Sequence, residues 1–314
     1  MTTAIPFTAR STAAEVLAGI DLTGRRMIVT GGASGIGEQT VRALAGAGAE
    51  IVVATRNPGS AAELTAEFTN VSAATLDLAD LRSVRAFVAG WHGHLDALIA
   101  NAGIMAVRER TLSVQGWELQ LATNYLGHFA LIDGLHAALT PGGRVVVVSS
   151  GAHKFAGFDF DDPQFEHRAY DPFLAYGQAK RAEVLLAVGV ARRWAADGIT
   201  ANAVAPGFVH TNLQRHLDAD TMRSFGAMDD AGELVTPDYY KTAAQGASTS
   251  VLLAASPLIE GLTGRYFEDN QEAPVVADED QQPGSVAASA LDPEIADRLW
   301  ELALPMLSTK DVTS

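Results

Sequence analysis

Cysteine is absent from the 314 residues, which excludes disulfides, thiolate metal sites and cysteine nucleophiles and fits a reducing compartment. Basic charge is scarce: 22 Lys and Arg, only four of them lysine, stand against 37 Asp and Glu, for a net charge of −15. An acidic surface is repelled by phosphodiester chains and anionic lipid, so neither nucleic acid nor a membrane is an expected partner. Long apolar runs are missing as well. The stretches 145–148 and 184–190 fall well below the roughly 20 residues that cross a bilayer, and no basic segment followed by an apolar one opens the chain. A soluble, cytoplasmic, unexported protein is the expectation. No Pro/Ser-rich linker divides the sequence and no solenoid repeat runs through it, which predicts a single domain. His128, His136, His153, His167, His210 and His216 are scattered, with no pair set beside acids at metal-ligand spacing, so no metal is expected.

What is present is alternation. Short apolar runs at Met27–Thr30, Ile51–Ala54, Leu95–Ala100, Val145–Ser149 and Thr200–Ala205, with a weaker one at Val71–Leu76, read as strands. Between them Glu38–Ala47, Asp80–Trp91, Trp117–Leu139 and Tyr176–Ala196 read as helices. Strands apolar throughout and joined by helices predict a parallel sheet covered on both faces. The fold class is therefore α/β, a doubly wound Rossmann-type sheet of about seven strands, with ligands expected beyond the carboxyl ends of the strands. Residues 1–24 read as an arm, with Ser11–Gly19 a candidate helix, and residues 25–267 as the fold itself. Within the fold, 207–245 reads as a mobile cap over a pocket. Residues 268–314 form an extension whose first part, Glu268–Ala290, is rich in acids, Gln, Pro and Ala and predicts extended, solvent-exposed chain. Asp292-Pro293 then supplies an N-cap and first-turn proline for a closing helix through Leu302.

Two constellations carry chemistry. Strand one runs into Thr30-Gly31-Gly32-Ala33-Ser34-Gly35-Ile36-Gly37 with a helix behind it, a turn whose free N–H groups suit a diphosphate; taken alone it is also an ordinary tight turn. Tyr176 and Lys180 stand four apart on a predicted helix, so both lie on one face. A nearby ammonium favours the phenolate of a tyrosine, whose pKa of about 10 otherwise leaves it a poor acid or base at neutral pH.

The spacing Gly31-x-x-x-Gly35-x-Gly37 resembles the short-chain dehydrogenase/reductase signature. The ordered set that follows extends the likeness over about residues 20–267: Asp77-Leu78, Asn101-Ala102-Gly103, Asn124, Ser150, Tyr176-x-x-x-Lys180 and Pro206-Gly207. The resemblance implies a nicotinamide dinucleotide in the cleft lined by Gly31, Ser34, Gly35, Ile36, Gly37, Leu78, Ala102 and Gly103. It puts Asp77 at the adenine amino group and Asn101 beside the adenine ribose. Pro206, Gly207, Val209 and Thr211 would flank the nicotinamide, and Lys180 would grip its ribose. Ser150 would hold the substrate oxygen, with Ser149 the alternative, and Tyr176 would act as the acid. Asn124 would bend its helix and hold a water linking Lys180 to solvent; by composition alone it is an ordinary polar residue inside a helix. Strand two ends at Arg56, and no acid lies between 51 and 62, which favours NADP(H) because an arginine fork pairs with a 2′-phosphate.

The arm 14–24, the Arg56-Asn57 pair, the insert after Ser150 and the tail Gly264–Asp269 resemble the retinol dehydrogenase and WW-domain oxidoreductase branch. The 25 residues between Ser150 and Tyr176 contain Phe155, Phe158, Phe160, Phe165, Tyr170 and Phe173. They either line a pocket for a bulky, apolar or aromatic carbonyl or alcohol, or anchor the insert to the sheet. Competing functions are oxidation of a secondary alcohol or steroid-like substrate with NAD(P), and an NADPH-binding regulator without turnover. A homo-oligomer is a family expectation that the C-terminal tail could block.

Overall fold

The computed structural model describes residues 5–308; residues 1–4 of the predicted arm and 309–314 of the predicted extension lie outside it. The apolar runs form strands β1 (Arg26–Thr30), β2 (Glu50–Thr55), β3 (Val71–Thr75), β4 (Ala97–Ala100), β5 (Arg144–Val148) and β6 (Thr200–Ala205). Shorter strands follow: β7 (Tyr266–Glu268), β8 (Gln271–Glu272), β9 (Val275–Val276) and β10 (Val286–Ala287). The helices are α1 (Ala13–Val16), α2 (Gly35–Gly46), α3 (Ala62–Glu67), α4 (Leu81–Ala89), α5 (Gly127–Gly134) and α6 (His136–Leu139), then α7 (Pro172–Arg193), α8 (Ala219–Ser224), α9 (Ala243–Gly246), α10 (Ser248–Ala255) and α11 (Pro293–Ser308).

The main sheet runs β3-β2-β1-β4-β5-β6-β7-β8, parallel from β3 through β7 and antiparallel at β8. It has eight strands rather than about seven. The additional one is a two-residue hairpin return after Asp269-Asn270, whose φ values of 55° and 63° suit the short polar side chains that tolerate left-handed backbone. A two-residue polar strand offers no apolar run to read. Strand order reverses between β1 and β4, which opens a cleft above their carboxyl ends.

Apolar clusters fill both faces of the sheet. One packs Leu98, Val145 and Val147 against Phe87, Phe129, Leu185 and Trp300, from α4, α5, α7 and α11. The other packs Val29, Ile99 and Val146 against Val41, Leu44, Val251 and Leu252, from α2 and α10. No described helix is long and apolar enough to cross a membrane.

Three elements differ from expectation, each through a cap or a burial. The stretch Trp117–Leu139 is not one helix. Glu118 accepts the N–H groups of Gln120 (3.0 Å) and Leu121 (2.7 Å), starting a π-helical turn over Leu121–Leu126 that continues into α5 and α6. Helix α7 begins before Tyr176 because Asp171 accepts from the N–H groups of Phe173 and Leu174, both at 2.8 Å, with Pro172 in the first turn. The segment 268–290 is not solvent-exposed throughout. Its acids 278–280 are exposed, but Asn270, Val286, Ala287 and Ala290 are fully buried, and β9 pairs with β10 in a separate two-stranded sheet. Alternating small apolar residues inside a polar composition hid that burial.

Candidate active site

The cleft is built on Thr30, the last residue of β1. Its hydroxyl accepts the N–H groups of Asn101 (2.8 Å) and Ala102 (2.9 Å), tying the end of β1 to the end of β4 where strand order reverses. The Asn101 amide donates to Thr30 O at 2.8 Å. The glycine turn closes over this knot. Gly35 has φ 58°, which a side chain would strain, and a Cβ at Gly37 would stand 2.4 Å from Gly31 O and 2.5 Å from Asn101 Nδ2. The Ser34 side chain makes no capping bond to α2, so the first-turn N–H groups of that helix have no side-chain acceptor. Space for close backbone approach and uncapped donors are what an anionic diphosphate requires, and the residues present fit one.

A cavity of about 1190 Å³ runs from this turn across the ends of β4, β5 and β6. Gly31, Ser34, Gly35, Ile36, Gly37, Arg56, Asp77, Leu78, Asn101, Ala102 and Gly103 line it, as do Ser150, Tyr176, Lys180, Pro206, Gly207, Val209 and Thr211. Every sequence-predicted residue except Asn124 therefore borders one space. Asn124 stands behind the wall in the π-helical turn, accepting from Ile104 N at 2.9 Å and donating to Ile104 O at 3.0 Å.

Ser149 and Ser150 part company at the end of β5. Ser149 is buried and donates to Lys180 O at 2.7 Å, a packing role on α7. Ser150 caps the following turn at Ala152 N and pairs with the Tyr176 phenol. Lys180 Nζ lies 5.6 Å from the centre of the Tyr176 ring and donates to Val148 O at 3.0 Å. Burial pushes the Tyr176 phenol above its ordinary pKa; Lys180 draws it down, Glu183 pushes it up and Ser150 draws it down, leaving it raised. Desolvation thus outweighs the ammonium, and the phenol stays protonated at neutral pH.

The insert divides between its two readings. Phe155 and Phe173 line the cavity, and Phe173 meets Phe225 of the 207–245 segment edge-on at 5.9 Å. Phe158 and Phe160 instead pack on the core, while Phe165 is buried between Tyr170 and Arg168. The sequence also left wall residues unnoticed. Lys154 donates to Gln282 O and, at 3.0 Å, to Ser285 Oγ, drawing Gln281, Pro283, Gly284 and Ser285 into the wall. His153 joins the same tail: its Nδ1 lies 2.8 Å from Ser150 O, and its Nε2 accepts from Ala287 N at 3.3 Å. Arg215 shares the cavity with Arg56, and burial and then the Arg56 charge lower its pKa. No spacing in the sequence links these residues; only the fold brings them together. Among the described residues no group of three or more His, Cys, Asp or Glu is placed to hold a metal ion.

Fold and cleft define a doubly wound, dinucleotide-binding class of protein. Residues 25–222 match the family model described as short chain dehydrogenase. A relative from Streptomyces lividans described as a probable oxidoreductase is 63% identical over 296 residues, covering 92% of this chain and 99% of its own. Human retinol dehydrogenase 14 is 33% identical over 309 residues, covering 90% of this chain and 86% of its own. The solved structure of an uncharacterized Mycobacterium paratuberculosis protein superposes with a TM-score of 0.73 at 32% identity, covering 96% and 98% of the two chains. The chain belongs to the short-chain dehydrogenase/reductase family, in likeness to its retinol dehydrogenase branch, and is an oxidoreductase of the NAD(P)-binding kind.

Proposed function

We propose that the chain is an NADP(H)-dependent oxidoreductase that reduces a carbonyl, or oxidises the matching secondary alcohol, on a bulky apolar or aromatic substrate. The observation that carries this reading is the convergence of Ser150, Tyr176, Lys180, the glycine turn and Arg56 on one cavity. Arg56 at the end of β2, with Arg215 opposite, supports NADP(H), since two guanidinium groups complement a phosphate and leave no acid for a free ribose hydroxyl. Phe155, Phe173, Phe208 and Phe225 in the wall support a substrate with large apolar area.

When bound, the nicotinamide supplies or accepts the hydride. Gly31, Ser34, Gly35, Ile36 and Gly37 would hold the diphosphate, Asp77 and Leu78 the adenine, and Asn101, Ala102 and Gly103 the adjoining ribose. Pro206, Gly207, Val209 and Thr211 would flank the nicotinamide. Ser150 holds the substrate oxygen by a hydrogen bond, and Tyr176 donates its phenol proton to that oxygen as negative charge develops there. Lys180 stabilises the phenolate left behind. Asn124 braces Ile104 and the π-helical turn beside Gly103.

Tyr176→Phe is expected to lower NADPH consumption at least about a hundredfold over a panel of aromatic ketones, aldehydes, quinones and steroids, with NADPH binding retained by fluorescence titration. Unchanged turnover would remove Tyr176 from the role of acid.

A further inference from the structure

Glu183 lies on α7 three residues beyond Lys180, and the reaction just described gives it no part. Its side chain is fully buried, and its Oε2 stands 2.8 Å from Lys180 Nζ. Neither carboxylate oxygen meets a donor along a hydrogen-bonding direction, so the contact joins two charges and is otherwise unsatisfied. His128 of α5 comes within 3.9 Å of Oε1 but brings no charge. Its Nδ1 faces the Asn124 carbonyl at 2.8 Å, which can only accept, so Nδ1 carries the hydrogen and Nε2 accepts from the Thr30 hydroxyl at 2.9 Å. The groups facing Glu183 that can titrate are thus Lys180 and Tyr176 on its own helix and the neutral His128 on α5, and Lys180 is the one cation among these three. A buried carboxylate with a single cationic neighbour is costly unless the pair is kept together.

We propose that Glu183 is a positioning residue: its carboxylate pins the Lys180 ammonium at the end of β5 and, through it, sets the pH at which Tyr176 gives up its proton. The inference rests on the assignment of Tyr176 and Lys180 above and adds the control of that pair. Lys180 Nζ gives one hydrogen bond to Val148 O, holds its charge 2.8 Å from Glu183 Oε2, and lines the cleft. Burial holds the Glu183 carboxyl up at about 8 while Lys180 draws it down, so in the alkaline range where a phenol titrates Glu183 is ionised, and loss of the phenol proton there takes the buried trio from neutral to a net charge of minus one. With glutamine at 183 the same loss takes it from plus one to neutral. An apolar surrounding penalises the first change more, whichever of the two coupled groups releases the proton. Glu183 therefore extends the pH range over which the phenol remains a donor.

The test is an ultraviolet titration of the phenolate band in the full chain, with Tyr176 isolated by subtracting each variant's Tyr176→Phe counterpart. Glu183→Gln is expected to bring the Tyr176 midpoint down by about one to two pH units, or to bring a band into the stable range that the parent lacks. Glu183→Asp keeps the charge and is expected to move the midpoint less, which also serves if the glutamine variant does not fold. An effect on packing alone would lower the melting temperature and leave the midpoint in place, and that result, or a midpoint moved upward, overturns the proposal. NADPH fluorescence titration of the same samples reports the cofactor site separately, so a failed dinucleotide assignment and a failed role for Glu183 leave different signatures.

Discussion

The proposed preference for NADP(H) rests on two side chains, Arg56 and Arg215. One was legible as the residue that ends β2 without an acid nearby; the other sits in a loop segment whose composition says nothing of its target. Both line the same cavity, and burial first and the Arg56 charge second hold the pKa of Arg215 below its ordinary value. A 2′-phosphate between them would balance the two positive charges. Arg56→Asp is expected to raise the Kd of NADPH about a hundredfold while changing that of NADH only a few fold, the difference reflecting charge-assisted hydrogen bonds of about 1.5–3 kcal/mol. Fluorescence titration with both dinucleotides checks it, and equal losses would take Arg56 away from the phosphate. Arg215→Ala should give a smaller loss of the same selectivity.

Elements were legible in proportion to how far their packing follows a period. Strands β1, β4 and β5 are apolar at nearly every position because both faces of the sheet are covered, and their positions were plain from the sequence. Helix α7 starts four residues ahead of Tyr176 because Asp171 and Pro172 act as its cap, and a cap carries no hydrophobic period to read. Glu183 was visible as a residue but not as a partner, since an acid three places from a lysine on a helix is ordinarily a solvated pair. The tail was hardest. Its place at the pocket rests on contacts between segments far apart in the chain, Lys154 gripping Gln282 and Ser285 and His153 holding Ala287. Lys154→Met is expected to loosen that wall and raise KM for bulky substrates about tenfold, equivalent to about 1.4 kcal/mol of lost positioning, with NADPH binding unchanged. Steady-state kinetics beside a cofactor titration distinguishes this from damage to the dinucleotide cleft.

For the whole molecule, the last helix decides what surface is shown. Trp300 of α11 meets Phe129 edge-on at 4.6 Å and Trp194 at 6.0 Å, and lies so close to Gly189 that a Cβ there would come within 3.0 Å. Trp300→Ala is expected to cost roughly 3–5 kcal/mol in urea unfolding and to bare the apolar face of α5 and α7. Light scattering should then detect self-association beyond that of the parent chain. Stability should also depend on pH through two buried imidazoles. Burial lowers the pKa of His128 and of His153 to about 4, against an ordinary value of 6.5. The unfolded chain takes up protons at these positions below pH 6.5 while the native chain resists until about 4. Their contribution is therefore present above 6.5 and lost as pH falls through that window, by about 3 kcal/mol for each. Urea melts at neutral pH and near pH 4.5 measure the slope, and a flat response would mean that these rings are charged or solvated in the native state.

The seating of Trp300 also has a bearing on biosynthesis. Residues that cover one face of α7 are translated more than a hundred positions after it, so a growing chain carries that apolar face bare until α11 has left the ribosome. During that interval the polypeptide is most exposed to aggregation and most in need of a chaperone, and premature stop codons ahead of Trp300 should yield insoluble product rather than a shortened enzyme.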